Sequence, residues 1–340
     1  MSQYHDKLDT IDTVYRCLLG RGLNAEERLA CADVEFTGQQ HAAALVEAVV
    51  RSDEFFMRHR EHLFRKLIPS SMLVVARTPL GQELIVDLHQ LHLGFSMAAG
   101  HYEPEEVAVL KNLIRRDMVV VDVGANIGFY TLMLAALVGD SGQVMAFEPV
   151  PDSRAKLAAS VARNRLDHIV RIEPCALSDK PGTTRIVHDA DTSNVGGAHM
   201  APSSGGLPPG VVGHAVEMRC LDEFEFPLGV HFIKMDVEGA EGLVLRGGLR
   251  VLRTHRPLLM IEFNDAQLRL VSRINSELLA AEYRKLGYKL YRFVGGGKVA
   301  AVREPIGSEI AALLAHSGIF NALLIPEGGE PGCRHLIVDA

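Results

Sequence analysis

No CxxC pair occurs in this chain of 340 residues, and its five cysteines (Cys17, Cys31, Cys175, Cys220, Cys333) are odd in number and far apart. Neither a disulfide framework nor a zinc site of paired thiolates is suggested, and this usage fits a reducing cytoplasm. Positive charge is scarce: 35 Lys and Arg stand against 42 Asp and Glu, a net charge of −7. Without a broad basic field to attract phosphates, nucleic acid is not an expected partner. No apolar run approaches the ~18 residues needed to cross a bilayer. The polar opening MSQYHDKLDT is not expected to act as a signal peptide. Internal repeats are absent, and the one low-complexity stretch, APSSGGLPPGVVG at 201–213, reads as a loop. What remains is a chain 48% hydrophobic and 23% charged, long enough for one large domain and a small one.

The pattern changes near residue 70. Before it, Ile11, Val14, Tyr15, Leu18 and Leu19 share one helical face, and Gly20-Arg21-Gly22 ends that helix. Asn24 and Glu27 form a capping box for the next. Ala44, Leu45, Ala48 and Val49 mark a third, and Ser52 caps a fourth that carries Phe55 and Phe56. Residues 1–70 are thus expected to form a small helical module. His59, Glu61 and His62 are spaced for metal ligation but read more simply as a solvated helix face. The stretches VYRCLLGRGLNAEE and VVRSDEFF resemble a short YRxLLGR helical module found beside glycan-handling enzymes and surface proteins. That resemblance covers about 60 residues and implies no chemistry; the module is expected to dock to a protein partner or to the acceptor.

From residue 71 to 340 strands and helices alternate. Residues 72–76 and 83–88 read as a hairpin, and YEPEEVAVLKNLI as a helix with Pro104 in its first turn and acids at its positive end. The runs VVVDV (119–123), QVMAF (143–147), VRIEP (170–174), HFIKMDV (231–237) and PLLMIEF (257–263) are apolar on both faces, with helices expected at 129–138, 152–164 and 240–253. That pattern predicts an α/β fold, a parallel sheet covered by helices on both faces. Two more strands, near 288–294 and 319–325, would complete it.

In such a sheet, ligands bind beyond the carboxyl ends of the strands. VVVDVGANIGFY (119–130) delivers Asp122 to that end and then breaks into Gly124-Ala125-Asn126-Ile127-Gly128. The glycines permit close backbone approach, and the amides opening the next helix face an anion. GxGxxG, expected for a nicotinamide cofactor, is missing, and an acid ahead of the glycines would repel a pyrophosphate. A ligand with an ammonium and a carboxylate suits the stretch better. Glu148, twenty residues after Gly128, ends the next strand, where it can accept from a ribose diol. Either acid alone could be structural, Asp122 as a helix cap and Glu148 as a turn residue; the pair at neighbouring strand ends favours a ligand.

DVGANIGFYTLMLA, FEPVPDSRAKLAASVARN, CALSD, NVGG and IKMDVEGAEGLVLRGG follow in this order, with YEPEE upstream and RPLLMIEFN downstream. Together they resemble the FkbM family of class I S-adenosylmethionine-dependent methyltransferases over roughly residues 72–326. The resemblance implies a Rossmann-like, mostly parallel methyltransferase sheet with helices on both faces, S-adenosylmethionine as cofactor, and O-methylation of sugars, glycans or natural products. By position it implies Asp122 and Gly124 at the methionine end, Asn126 and Gly128 in the turn, Glu148 at the ribose, and Ala176, Leu177 and Ser178 bordering the adenine. Asp179 is either an adenine contact or a turn acid ahead of Pro181-Gly182. Asn194 matches the family's Asn-Gly region and is expected near the active-site mouth, or else in an ordinary flexible loop.

The sulfonium is already a strong electrophile, so alignment supplies much of the catalysis, while a neutral alcohol also needs a base or a metal to take its proton. Alternation in HFIKMDVEG places Phe232, Lys234 and Asp236 on one side of a strand, with Glu238 just beyond; Glu262 and Asn264 end the next strand. Asp236, Glu238 and Glu262 are therefore the expected catalytic acids, Asp236 first. Glu241 reads as a helix cap, and Lys234 as a buried cation paired with Asp122 or Asp236. Asp236 and Glu262 could share a magnesium ion, but no metal-specific signature calls for one. Transfer to nitrogen or a carboxylate, and a scaffold that binds the cofactor without turnover, are the alternatives to O-methylation.

Overall fold

A computed structural model describes residues 71–189, 197–201 and 206–338, together with Asp12 and Arg16. Chain contacts separate Met1–Ser71 from Met72–Ala340. The four expected N-terminal helices, the His59–Glu61–His62 grouping and Asn194 lie outside the described residues.

The second unit opens with the hairpin β1 (Leu73–Arg77) and β2 (Glu83–Asp87) and the helix α1 (Pro104–Leu113). Then follow β3 (Val119–Val123), α2 (Phe129–Val138), β4 (Gln143–Phe147), α3 (Pro151–Arg163) and β5 (Val170–Glu173). Four strands come next: β6 (Ala176–Leu177), β7 (Gly182–Asp189), β8 (His199–Ala201) and β9 (Val211–Arg219). The chain then returns to the main sheet through β10 (Phe232–Met235), α4 (Glu241–Gly247), α5 (Leu249–His255) and β11 (Leu258–Asn264). It continues with α6 (Asp265–Val271), α7 (Ser276–Lys285), β12 (Tyr288–Gly295), β13 (Lys298–Ala301), α8 (Ile306–Ser317) and β14 (Ile319–Pro326), and a single helical turn, Glu330–Cys333, follows.

The main sheet has the order β13-β12-β14-β11-β10-β3-β4-β5. Its five strands from β11 to β5 are parallel, as their two-sided apolar runs require. β3 and β10 are buried at every position. One face packs Val120, Leu132, Met133 and Phe232; the other packs Val121, Ile233, Ile261 and Phe263. Fully burying each such side chain contributes roughly 1.5–3 kcal/mol. From β3 the chain builds outward through β4 and β5, then crosses back to lay β10 on the other side. The order therefore reverses between β3 and β10, where an open α/β sheet forms its ligand crevice.

Three features differ from the sequence-based expectation. The strands near 288–294 and 319–325 exist as β12 and β14, but β14 runs against the parallel set and inserts between β11 and β12, pairing antiparallel with both. The helix expected over 240–253 is two helices broken at Gly248. Its Gly247 lies so close to the preceding loop that a Cβ would stand 1.9 Å from the Ser178 carbonyl oxygen. Finally, a second sheet of order β6-β9-β7-β8 occupies residues 176–219. Its strands are half exposed and polar in alternation, as in TTRIVHD and VVGHAVEMR, so they lack the apolar runs that revealed the main sheet. β9 begins at Val211, inside the stretch that composition assigned to a loop.

Candidate functional site

A cavity partly open to solvent lies over the carboxyl ends of β3, β4, β10 and β11. The turn after β3 forms its floor. Gly124 has φ +81°, and a Cβ there would stand 1.9 Å from the carbonyl oxygen of Asp236. Its bareness lets the loops after β3 and β10 touch each other. Gly128 has φ +98° and faces Leu157 of α3, so it serves helix packing behind the cavity wall. Between them Asn126, itself at φ +49°, lines the cavity with its Oδ1 buried and unpartnered among the described residues.

Glu148 stands at the tip of β4, 5% exposed and in the wall. Its Oε2 accepts from the Asn126 amide at 2.8 Å and its Oε1 from the Val150 amide at 2.7 Å. Burial, opposed by these two bonds, pushes its carboxyl up to about 7. Each oxygen keeps a lone pair for a ligand hydroxyl. Beyond it Cys175, Ala176, Leu177, Ile186, Ala198 and Met200 make an apolar slot, so the second sheet walls one end of the cavity. Burial pushes the Cys175 thiol up to about 11, as befits a packing residue. Ser178 is buried outside the wall, and Asp179 pairs with Arg246 at 3.7 Å instead of reaching the cavity.

Asp122 departs most from its expected place. Within β3, Val119, Val121 and Val123 face one core, so alternation turns Asp122 to the side covered by α2. There it is 0% exposed, takes a 2.6 Å hydrogen bond from the Thr131 hydroxyl, and is absent from the cavity wall. Burial, only partly offset by Lys234, raises its pKa.

At the other end, Asp236, Glu238 and Glu262 converge: one carboxylate oxygen from each lies within 4.8 Å of the others. All three line the cavity. Lys234 does too, with its Nζ 3.1 Å from Asp236 Oδ2 and 4.6 Å from the centre of the Tyr130 ring. Burial works to lower the Lys234 pKa, but Asp236, Asp122 and Glu103 outweigh it and hold the ammonium charged. Burial first, then Asp236 and Glu241, pushes Glu238 up to about 8; burial, then Asp236 and Glu238, pushes Glu262 up to about 10. Both are therefore protonated near neutrality. Glu241 stays out of the wall: its Oε1 accepts from the Val237 and Gly239 amides at 3.0 and 3.4 Å, the capping role its position suggested. His231, at the other end of β10, is exposed, and its Nδ1 accepts from the Val119 amide at 3.0 Å.

Motif reading missed Tyr102, Glu103 and Tyr130, which complete this end of the wall. The Tyr130 hydroxyl donates to Glu103 Oε2. YEPEE, part of the family resemblance, carried no site role in the sequence beyond a helix start.

The raised acids make stability depend on pH. When folded, Glu262 and Glu238 keep protons that the unfolded chain has already lost above about pH 4.5. The folded state thus binds more protons between about 4.5 and 8–10, and stability falls as pH rises through that window. Glu262→Gln should raise the melting temperature by on the order of a few degrees at pH 8, with a smaller gain at pH 5. A gain that shrank with rising pH would contradict this assignment.

The cavity suits S-adenosylmethionine in its donor set: an apolar slot for a base, a carboxylate for a diol, an orphaned amide oxygen, and acids for a cationic sulfonium. Among known proteins, residues 122–290 match the model of the "Methyltransferase FkbM domain". The 31-O-demethyl-FK506 methyltransferase FkbM of Streptomyces tacrolimicus is 38% identical over 86 residues, 25% of this chain and 32% of that protein. The chain thus matches about a third of that relative's length. A solved FkbM methyltransferase from Methylobacillus flagellatus aligns at 14% identity and TM-score 0.39, over 95% of this chain and 60% of that one. An O-methyltransferase from Thermotoga maritima aligns at 12% and 0.36, over 74% and 77%. No helix of the described residues is long and apolar enough to cross a membrane. With the glycine turn, the two strand-end acids and the DVEGAE loop all inside the matched span, residues 122–290 of this chain are a methyltransferase domain of the FkbM family.

Proposed function

We propose that the chain transfers the methyl group of S-adenosylmethionine to a hydroxyl oxygen, on a sugar, a glycan or a glycosylated natural product. The observation that carries the reading is one continuous cavity with two unlike ends: Asn126, Glu148, Ala176 and Leu177 toward β4 and β5, and Asp236, Glu238 and Glu262 within 4.8 Å at β10 and β11. When bound, the cofactor supplies the electrophilic methyl group. Gly124, Asn126 and Glu148 hold it, with Glu148 on the ribose diol and the apolar slot on the base. Asp122, Gly128 and Ser178 support those contacts from behind.

Asp236 takes the hydroxyl proton. Of the three catalytic acids, it alone has a buried ammonium within hydrogen-bond distance among the described residues. Glu238 and Glu262, kept neutral by burial, are hydroxyl-bearing donors and orient the acceptor's oxygens. The relative named for methylating 31-O-demethyl-FK506 supports an oxygen acceptor. Residues 1–70 would dock the acceptor or a protein partner, and the odd, scattered cysteines support work in the cytoplasm.

The test is release of S-adenosylhomocysteine from S-adenosylmethionine over a panel of free sugars, glycosides, amines and carboxylic acids. The reading expects turnover with hydroxyl acceptors. Turnover confined to amines or acids would replace it with N- or carboxyl-methylation, and cofactor binding without turnover on any member would favour a scaffold.

A further inference from the structure

The ammonium contact expected of Asp122 is left without an owner, because that carboxyl is sealed beneath α2. Another acid stands in the wall. Glu103 precedes Pro104 at the start of α1 with φ 43° and ψ 59°, in the left-handed region. A residue with a side chain holds that conformation at a cost of about 1–3 kcal/mol, and such positions gather at ligand sites. The Glu103 side chain makes no capping bond to the helix it precedes. Its side chain turns into the cavity instead, where Tyr130 donates to Oε2 and Lys234 is near enough to pull on its charge. Tyr102 flanks it, braced edge-on against Phe129 at 5.0 Å.

Position decides what this acid meets. Tyr130 lies in the first turn of α2, and Lys234 on β10, so Glu103 sits on the β10 side of the β3 turn. Glu148 and the apolar slot lie on the β4 and β5 side. A ligand with a nucleoside at one pole and an amino acid at the other, laid across the β3 turn, brings its amino-acid pole to Glu103. We propose that Glu103 receives the α-ammonium group of the cofactor's methionine end. This rests on the S-adenosylmethionine reading above and gives the contact to a residue to which the sequence assigned no role. Burial, opposed by Lys234, pushes the free carboxyl up to about 7; the arriving ammonium favours its ionised form and releases that proton.

Calorimetry on the full chain tests it with two ligands: S-adenosylhomocysteine, and the analogue lacking only the α-amino group. Glu103→Gln is expected to weaken S-adenosylhomocysteine about ten- to hundredfold, as for loss of a hydrogen bond between charged groups. The analogue should bind both proteins alike. Tyr130→Phe, which only frees the carboxyl from its donor, should give a smaller loss confined to the amino ligand. Thermal melts of both variants check that the fold is retained. Equal loss for both ligands would make Glu103 a structural residue and overturn the assignment, as would an unchanged affinity for S-adenosylhomocysteine. Absence of heat with either ligand on the unaltered chain would instead remove the cofactor reading itself, and this proposal with it.

Discussion

Asp236→Asn is expected to slow methyl transfer by about 10²–10⁴-fold, the range for losing a positioned general base, while cofactor affinity changes little. The expectation follows from the charge states at the β10 end. A hydroxyl must lose its proton as the new carbon–oxygen bond forms, and a protonated carboxyl cannot take it. Glu262 and Glu238 are held neutral at pH 7 by burial and by the acid beside them. Asp236 is hydrogen-bonded by Lys234 at 3.1 Å, and Asn at this position keeps the volume and the acceptor oxygen but not the basicity. Single-turnover formation of S-adenosylhomocysteine, with an acceptor identified from the panel, checks the rate. Glu262→Gln, which removes a proton donor and not the base, should cost less. If the two variants were equally slow, Asp236 would not be the base.

The second large effect is on the fold around the cavity. Gly124→Ala puts a Cβ 1.9 Å from the Asp236 carbonyl oxygen, 3.2 Å from Val237 Cγ1, and on a backbone at φ +81°. Both backbones meet there, so neither can yield by a rotamer change. Strain at a left-handed position adds about 1–3 kcal/mol, and forced overpacking adds about as much. The variant should lose at least ~3 kcal/mol of stability, and its cofactor binding should fail because the turn that carries Asn126 must move. Gly128→Ala also has a positive φ, but its Cβ meets only the end of the Leu157 side chain at 2.5 Å, which can shift. It should be the milder of the two by chemical denaturation. The opposite ranking would contradict the packing described here.

Why these residues could be found from sequence, and others not, follows from what each signal encodes. Two-sided apolar runs mark a buried parallel strand wherever they occur, so β3, β4, β5, β10 and β11 were all legible, as was α2 over 129–138. Half-exposed strands carry no such mark, and the β6–β9 sheet that walls one end of the cavity went unseen. Alternation was decisive in β10, where it brought Lys234 and Asp236 to one side. The same rule in β3 turns Asp122 under α2, although its place near the strand end and in the motif had pointed it at the ligand. Glu103 was out of reach for a different reason. Its sequence neighbours spell a helix start, and neither a left-handed backbone at a glutamate nor a hydroxyl donor 27 residues away leaves a local trace. Glu238 and Glu262 were legible as strand-end acids, but their neutrality depends on burial together, which a single sequence does not state.

The whole account depends on a small molecule spanning the tips of β3, β4 and β10. Equilibrium dialysis of the full chain against labelled S-adenosylmethionine tests that most directly. The account predicts retention of one molecule per chain, displaced by S-adenosylhomocysteine, at concentrations of about 1 μM to 1 mM. A folded chain that retains no label across that range would contradict it.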